Sequence, residues 1–306
     1  MGKKIISMLL TVALLVTTMG MAAAATPETV QAKLALIETD TYGSEQTGAV
    51  MDRLSKLEKD YDGKHRSGSL MSRVDAIYAE LYKNDSGPSL LARLNAIEWN
   101  IDHEVSMKPV ESRLSDMELH LLGKTEEGTF NSRIKSLGQA SFGSEELPIE
   151  KVQVPANTLI KIATVDPVNA KNLKAGDTIR FKVAEDVIVD GDLIFAKGEP
   201  GEGKVEKVRQ AKNFGRNAEV EIDFYVTKSI DGTEVDTYIG EQAKKEMKQM
   251  AMAAGASVAG MLLLGPVGII GGAFVKGRNV NVPAGSELFI QTENEQSLYG
   301  VITMQE

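Results

Sequence analysis

The chain has 306 residues, 42% of them hydrophobic and 25% charged, with a net charge of −9. That composition is globular and excludes wholesale disorder, and the length suits two ordinary domains. The acidic balance argues against nucleic-acid binding, which rests on neutralising phosphates. The absence of cysteine excludes disulfides, thiolate metal sites and lipid attachment at an N-terminal thiol.

Lys3 and Lys4 form a basic start, Ile5 to Val16 an apolar core, and Ala23-Ala24-Ala25 a small-residue cleavage site. Residues 1–25 therefore read as an export signal, with a mature chain that is more acidic and lies outside the cytoplasm.

Arg53, Arg73, Arg93, Arg113 and Arg133 then fall at a strict spacing of twenty. Each is followed by an aliphatic residue (Leu54, Val74, Leu94, Leu114, Ile134), and three further on comes another (Leu57, Ile77, Ile97, Met117, Leu137). Lys33, Leu34 and Ile37 form a degenerate first copy. A fixed period of this kind decides the architecture of residues 26–148. Leu70, Val74, Ile77 and Leu81 share one helical face. Ser69, Ser89 and Thr129 precede the stripe in the N-cap phase, and Gly43, Gly63 and Gly123 follow it as stops. One narrow stripe on a short helix cannot be buried by that helix alone. The expectation is a packed helical array or a segmented coiled coil, reaching out as an elongated arm. The arginines read as surface residues paired with carboxylates of the array or solvated, with ligand contact the sharper alternative. Trp99 breaks the pattern, either as an exposed contact or as the cover of a helix junction.

From residue 149 the period becomes two. Ile179, Phe181 and Val183 alternate with Arg180 and Lys182, and Ala218 to Val226 alternate with Glu219, Glu221, Asp223 and Tyr225. Both read as strands with one wet face. Asp190-Gly191 and Asp231-Gly232 are hairpin turns. Residues 149–306 are thus expected to form a barrel or sandwich, and the whole chain an α+β, multidomain protein. Val154–Ile162 and Val282–Ile290 echo each other, each a turn entering a strand, as equivalent parts of one sheet system.

Between them runs Met250 to Val275, uncharged, inside an insertion spanning residues 241–277. Its small residues recur at close-packing spacing, and Gly265-Pro266 breaks it. Strands sharing a core must lie on one side of a membrane, so the run is expected to leave and return as a glycine-rich helical hairpin. Its limbs would be about 22 Å and about 14 Å long as helix, each too short for a hydrocarbon core of about 30 Å. Gly255, Ala259, Leu262, Leu263, Leu264, Gly265, Pro266, Gly268 and Gly272 are the expected contacts with a membrane or with copies of the chain. Packing as a core hairpin over the barrel is the remaining reading.

The order of signals in this half resembles the C-terminal domain of the TrbI-like outer-membrane channel subunit of conjugation and type IV secretion systems. The matching segments are Val154–Thr158, Glu185–Gly198, Phe214–Gly232, Met250–Val275 and Val282–Ser286. The resemblance implies a β-barrel whose inserted helices line an outer-membrane pore. This chain departs from it in having a cleavable signal in place of a cytoplasmic tail and inner-membrane helix, and helical repeats in place of a Pro-rich stretch. The repeats resemble those of uncharacterised exported envelope proteins from bacteria with two membranes.

No catalytic, cofactor or metal site is expected. His65, His103 and His120 occupy different phases of the repeat. Gly198 to Gly203 lacks the ending of a phosphate loop and reads as a turn. Lys197, Lys204, Lys207, Arg209, Lys212 and Arg216 are interleaved with Glu199, Glu202 and Glu206 and read as a solvated face, with anionic lipid or wall polymer as the alternative partner. The expected function is a non-enzymatic structural or assembly protein of the cell envelope, periplasmic, outer-membrane-associated or surface-exposed. It would dock to a membrane or oligomer through residues 250–275 and to an envelope or wall partner through the repeats. The alternatives are a subunit of an oligomeric secretion channel and a surface adhesin or wall-binding module.

Overall fold

In a computed structural model, residues 29–211, 217–253, 272–277 and 280–303 are described. The repeats form six helices of thirteen residues each: α1 Val30–Tyr42, α2 Val50–Asp62, α3 Leu70–Tyr82, α4 Leu90–Asp102, α5 Val110–Leu122 and α6 Phe130–Phe142. The side chains of Ser69, Ser89 and Thr129 each accept from the backbone N–H three residues on, as N-caps do. Gly43, Gly63, Gly123 and Gly143 sit in the left-handed region at the stops, and His103 takes the same conformation after α4.

The helices do not form an arm. α1 packs on α3 and α5, α2 on α3 and α6, and α4 on α3, α5 and α6. One apolar core runs from Leu34 through Ile77 and Leu94 to Leu137. The packed helical array is realised and the segmented coiled coil is not, because six narrow stripes bury more surface converging on a shared centre than in neighbouring pairs.

Four of the five repeated arginines form a clasp that their spacing only half reveals. Arg53, Arg73, Arg113 and Arg133 pair with Glu38, Glu58, Glu98 and Glu118, fifteen residues earlier. Arg73 is bidentate, with both bonds at 2.7 Å. The same carboxylates accept the backbone N–H of the following loop, from Gln46, Ser106 and Glu126, eight residues on. These four arginines are buried, which corrects their reading as repeat surface; the expectation of carboxylate partners within the array holds. The array ends are marked by the same logic. Lys33 replaces the first arginine and pairs with Asp75. Gly138 stands where the next glutamate would fall, and Leu147 of the following segment packs over it.

The remaining elements are β1 Ile149–Val154, β2 Leu159–Thr164, β3 Val168–Asn169, β4 Thr178–Val183, β5 Val187–Val189, β6 Asp192–Phe195, β7 Pro200–Arg209, β8 Ala218–Lys228, β9 Glu234–Tyr238, α7 Glu241–Ala253, β10 Gly272–Gly277, β11 Asn281–Val282, β12 Glu287–Thr292 and β13 Gln296–Ile302. Strands β8-β7-β4-β2-β12-β9 pair in that order, and β9 pairs back onto β8, closing a six-stranded barrel. A four-stranded sheet, β1-β13-β6-β5, stands beside it, and β3 pairs with β11. The echoing segments meet: β2 and β12 are antiparallel neighbours, Ile162 opposite Leu288 and Ile160 opposite Ile290. Asp190-Gly191 turns β5 into β6, both residues at positive φ, and Asp231-Gly232 links β8 to β9.

Pro200–Gly203 begins strand β7 and corrects the turn expected there. A Cβ at Gly201 would lie 2.2 Å from the Phe181 ring, and one at Gly203 would lie 2.9 Å from the Phe224 ring. The two rings meet edge to face at 5.5 Å inside the barrel, so the glycines leave the volume the rings fill. Strand β10 corrects the second limb of the expected helical hairpin at its end. It pairs antiparallel along Ala218–Asp223 of β8, while β9 covers only Val226–Lys228 of the same edge. The uncovered backbone of β8 requires a partner, and β10 supplies it.

Glu118→Ala is expected to leave Arg133 buried without its carboxylate and to cost on the order of 3 kcal/mol in urea unfolding. The paired change Glu118→Leu with Arg133→Met is expected to recover most of that loss in the same measurement.

Candidate functional site at the bundle–barrel junction

Helix α4 is buried on two faces. Leu90, Leu94 and Ile97 enter the bundle core, while Ala96 joins Val105, Leu193, Ala196, Ile230 and Val301 in a cluster shared with the β-domain. Strand β6 matches it. Ile194 and Phe195 face the barrel core, and Leu193 and Ala196 face α4. That two-sided burial accounts for its unbroken apolar run.

Polar contacts index the two bodies. Asn84 donates to Asp231 O and Thr233 Oγ1. Trp99 is half-buried and donates from Nε1 to Asp186 Oδ2 of the β-domain at 2.9 Å, a place neither of the roles read from the sequence described. Glu104 bridges Lys182 and Lys197, and both bonds hold its carboxyl below the usual range. Val105 N–H donates to Lys197 O, and a Cβ at Gly198 would fall 2.0 Å from Val105 O. Only glycine admits that approach, and Gly198 is also at positive φ.

This docking coincides with the one copy that departs from the repeat. The glutamate position before Arg93 holds Tyr78, and α3 ends on an extended Lys83. Arg93 turns to Ser89 O and Asn131 Oδ1 and is desolvated, which lowers its pKa. The residues that follow Lys83 carry Asn84 to the barrel instead of closing the usual stop.

At the centre lies Asn95. Its Nδ2 donates to Glu199 Oε1 at 3.0 Å and to Ile230 O at 2.9 Å, and its Oδ1 accepts from Arg113 at 2.6 Å. Arg113 also clasps Glu98, which holds Ser106 N–H and its hydroxyl. A chain of polar groups thus crosses from bundle to barrel. Glu199 is only 2% exposed, which corrects its reading as part of a solvated basic face. Burial pushes its pKa up to about 8 against the pull of Arg113 and Lys228.

Beside it opens a half-enclosed cleft of about 460 Å³. Leu91, Met107, Pro109, Phe181 and Val226 line its apolar walls, and Asp40, Glu202 and Lys228 also reach it. Burial raises the carboxyls of Asp40 and Glu202 as well. Among the described residues no three metal-ligating side chains gather. His65 pairs with Glu58 and His120 with Asp102.

Of the contacts read from the insert, Gly255, Ala259, Leu262, Leu263, Leu264, Gly265, Pro266 and Gly268 lie outside the described residues, and Gly272 opens β10. The flanks are clear. Ala243 and Met247 of α7 are buried in the barrel core, and Ala243 N–H donates to Gln291 Oε1 of β12. No helix among the described residues is long and apolar enough to cross a membrane.

The chain matches no protein-family model and no curated protein. Among solved structures, it is similar to ComB10 of the Com type IV secretion system of Helicobacter pylori, at 15% identity and a TM-score of 0.25, over 47% of this chain and 88% of that one. At that score the likeness settles neither fold nor function.

The period-twenty glutamates were visible as a spacing and mark the clasp partners. Glu199 carried no such signal, because its burial comes from a helix a hundred residues away.

The raised pKa of Glu199 has a definite sign. The folded state binds the proton more tightly than the unfolded chain, whose carboxyl titrates near 4.5. Its stability contribution is complete below that value and is lost as pH rises toward about 8. Glu199→Gln keeps an acceptor for Asn95 and is expected to flatten this slope. Near pH 8 it should exceed the parent by on the order of 2 kcal/mol, and near pH 4 it should match it, as read by thermal melts across pH.

Proposed function

We propose that this chain is a non-enzymatic structural or assembly protein of the cell envelope, docked to a membrane or to copies of itself through the uncharged insert. The observation that carries this reading is the anchoring of both ends of the insert on one barrel. Helix α7 packs against β12, and β10 pairs with β8. Residues 254–271 between them contain no charged side chain. A segment of this length and polarity, sent out from a folded body and brought back to it, supplies apolar surface for a partner. The repeats contribute a rigid head fixed to the barrel, in place of a reaching arm, and their exposed face is the surface offered to an envelope or wall partner.

A second reading, a subunit of an oligomeric secretion channel, is supported by the order of sequence signals and by the closed barrel carrying an insertion between β9 and β10. It requires a ring.

Replacing residues 254–271 with a short Gly/Ser link leaves α7 and β10 their partners. The replaced protein is expected to keep its fold by circular dichroism and to lose membrane association or native mass. Unchanged fractionation and unchanged mass would remove the docking role. A native mass of one chain in mild detergent, with membrane association retained, would remove the channel reading alone.

A further inference from the structure

We propose that the junction is a catch, from which the helical bundle swings away about the Leu147–Pro148 step while both bodies stay folded, and that rising pH and salt favour the open form. The chain crosses between the bodies once, in the segment from Phe142 of α6 to Ile149 of β1. Leu147 rests on the bundle over Gly138, and Pro148 O accepts from Ile302 N–H of β13, so the pivot lies between them. This motion is separate from the docking role of the insert.

Each body keeps its own core when the two part. The bundle holds the cluster from Leu34 to Leu137, and the barrel holds its own around Phe181 and Phe224. The cluster between them is small: Ala96, Val105, Leu193, Ala196, Ile230 and Val301, with the rings of Trp99 and Phe142 only partly buried. The remaining ties are polar and come from Asn84, Asn95, Trp99, Glu104 and Val105. A joint of that composition within one chain resembles a transient interface, for which relative motion is the ordinary expectation. Glu104 is 35% exposed, and its partners Lys182 and Lys197 are 38% and 46% exposed. Ion pairs that open to water are weak and are screened by salt.

The buried end of the catch is Glu199. Asn95 of α4 donates to its Oε1 at 3.0 Å, and the residue is sealed at the junction. When the bundle leaves, water takes the place of Asn95 and the charged carboxylate is no longer penalised. Arg113 departs with Glu98, its own partner, so release breaks no clasp of the array. Around Glu199, Glu98 of α4 and Asp231 of the β8–β9 turn oppose ionisation, while Arg113 of α5 and Lys228 of β8 favour it. Docked, the carboxyl titrates at about 8, and released it returns toward 4.5. Its contribution to docking is complete below the lower value and is lost as pH rises toward the upper one.

Trp99 is the only tryptophan of the chain and stands at the catch, donating to Asp186, so its emission reports docking. The full chain is followed from about pH 7 to about pH 9 in low and in high sodium chloride. The expected result is a red shift of Trp99 emission as pH rises, reached at lower pH when salt is added. Far-UV circular dichroism stays unchanged, and the radius by small-angle scattering grows. Glu199→Gln is expected to hold the emission of the docked form across the range. Glu104→Lys, at a surface position, sets a like charge beside Lys182 and Lys197 and is expected to give the red-shifted emission already at about pH 7, with circular dichroism retained. Emission that stays unmoved at high pH or in Glu104→Lys, a shift in either that comes with loss of circular dichroism, or a Glu199→Gln protein that titrates like the parent would overturn the catch.

Discussion

The bundle depends on a carboxylate that has no water to turn to. In four of the repeats a glutamate is sealed between two helices and a loop, and it can be charged there only if donors surround it. The arginine fifteen residues on supplies two, and a loop N–H eight residues on supplies another. The clasp ties a helix to its successor and to the loop between them at one point. A buried ion pair of this kind contributes little net stability against an apolar pair, but it penalises wrong registers heavily. Register is what six near-identical helices sharing one core most need.

The junction with the barrel is built where that rule is broken. Tyr78 replaces a glutamate, α3 lacks the glycine stop, and Asn84 leaves the repeat geometry to reach the barrel. Asn95 of the next helix also accepts from Arg113, which keeps its clasp on Glu98, and passes the polar chain on to Glu199. A periodic array offers the same face many times. A docking site must be made once, and the irregular copy makes it.

Much of this was legible beforehand. The spacing of Leu70, Val74, Ile77 and Leu81, the serine caps and the glycine stops identified the helices, because capping and amphipathicity act within one turn. The alternation from Ala218 to Val226 identified a strand for the same local reason. The echo between Val154–Ile162 and Val282–Ile290 correctly brought two distant strands together. Pro200–Gly203 misled, since glycines that make room for two phenylalanine rings look in isolation like a turn.

The sequence by itself determined that a repeated array of short helices precedes a strand-built body and that an uncharged run lies within that body's sequence. These follow from interactions between residues a few positions apart, or from a period that repeats. Only the tertiary structure decided that the helices converge on one core, that four arginines are buried, that the barrel closes through β8 and β9, and that Glu199 is buried beside a cleft. Each of these rests on which surface is removed from water by a partner distant in the chain. The cost of burying a charge depends on that partner's position, which no local pattern encodes.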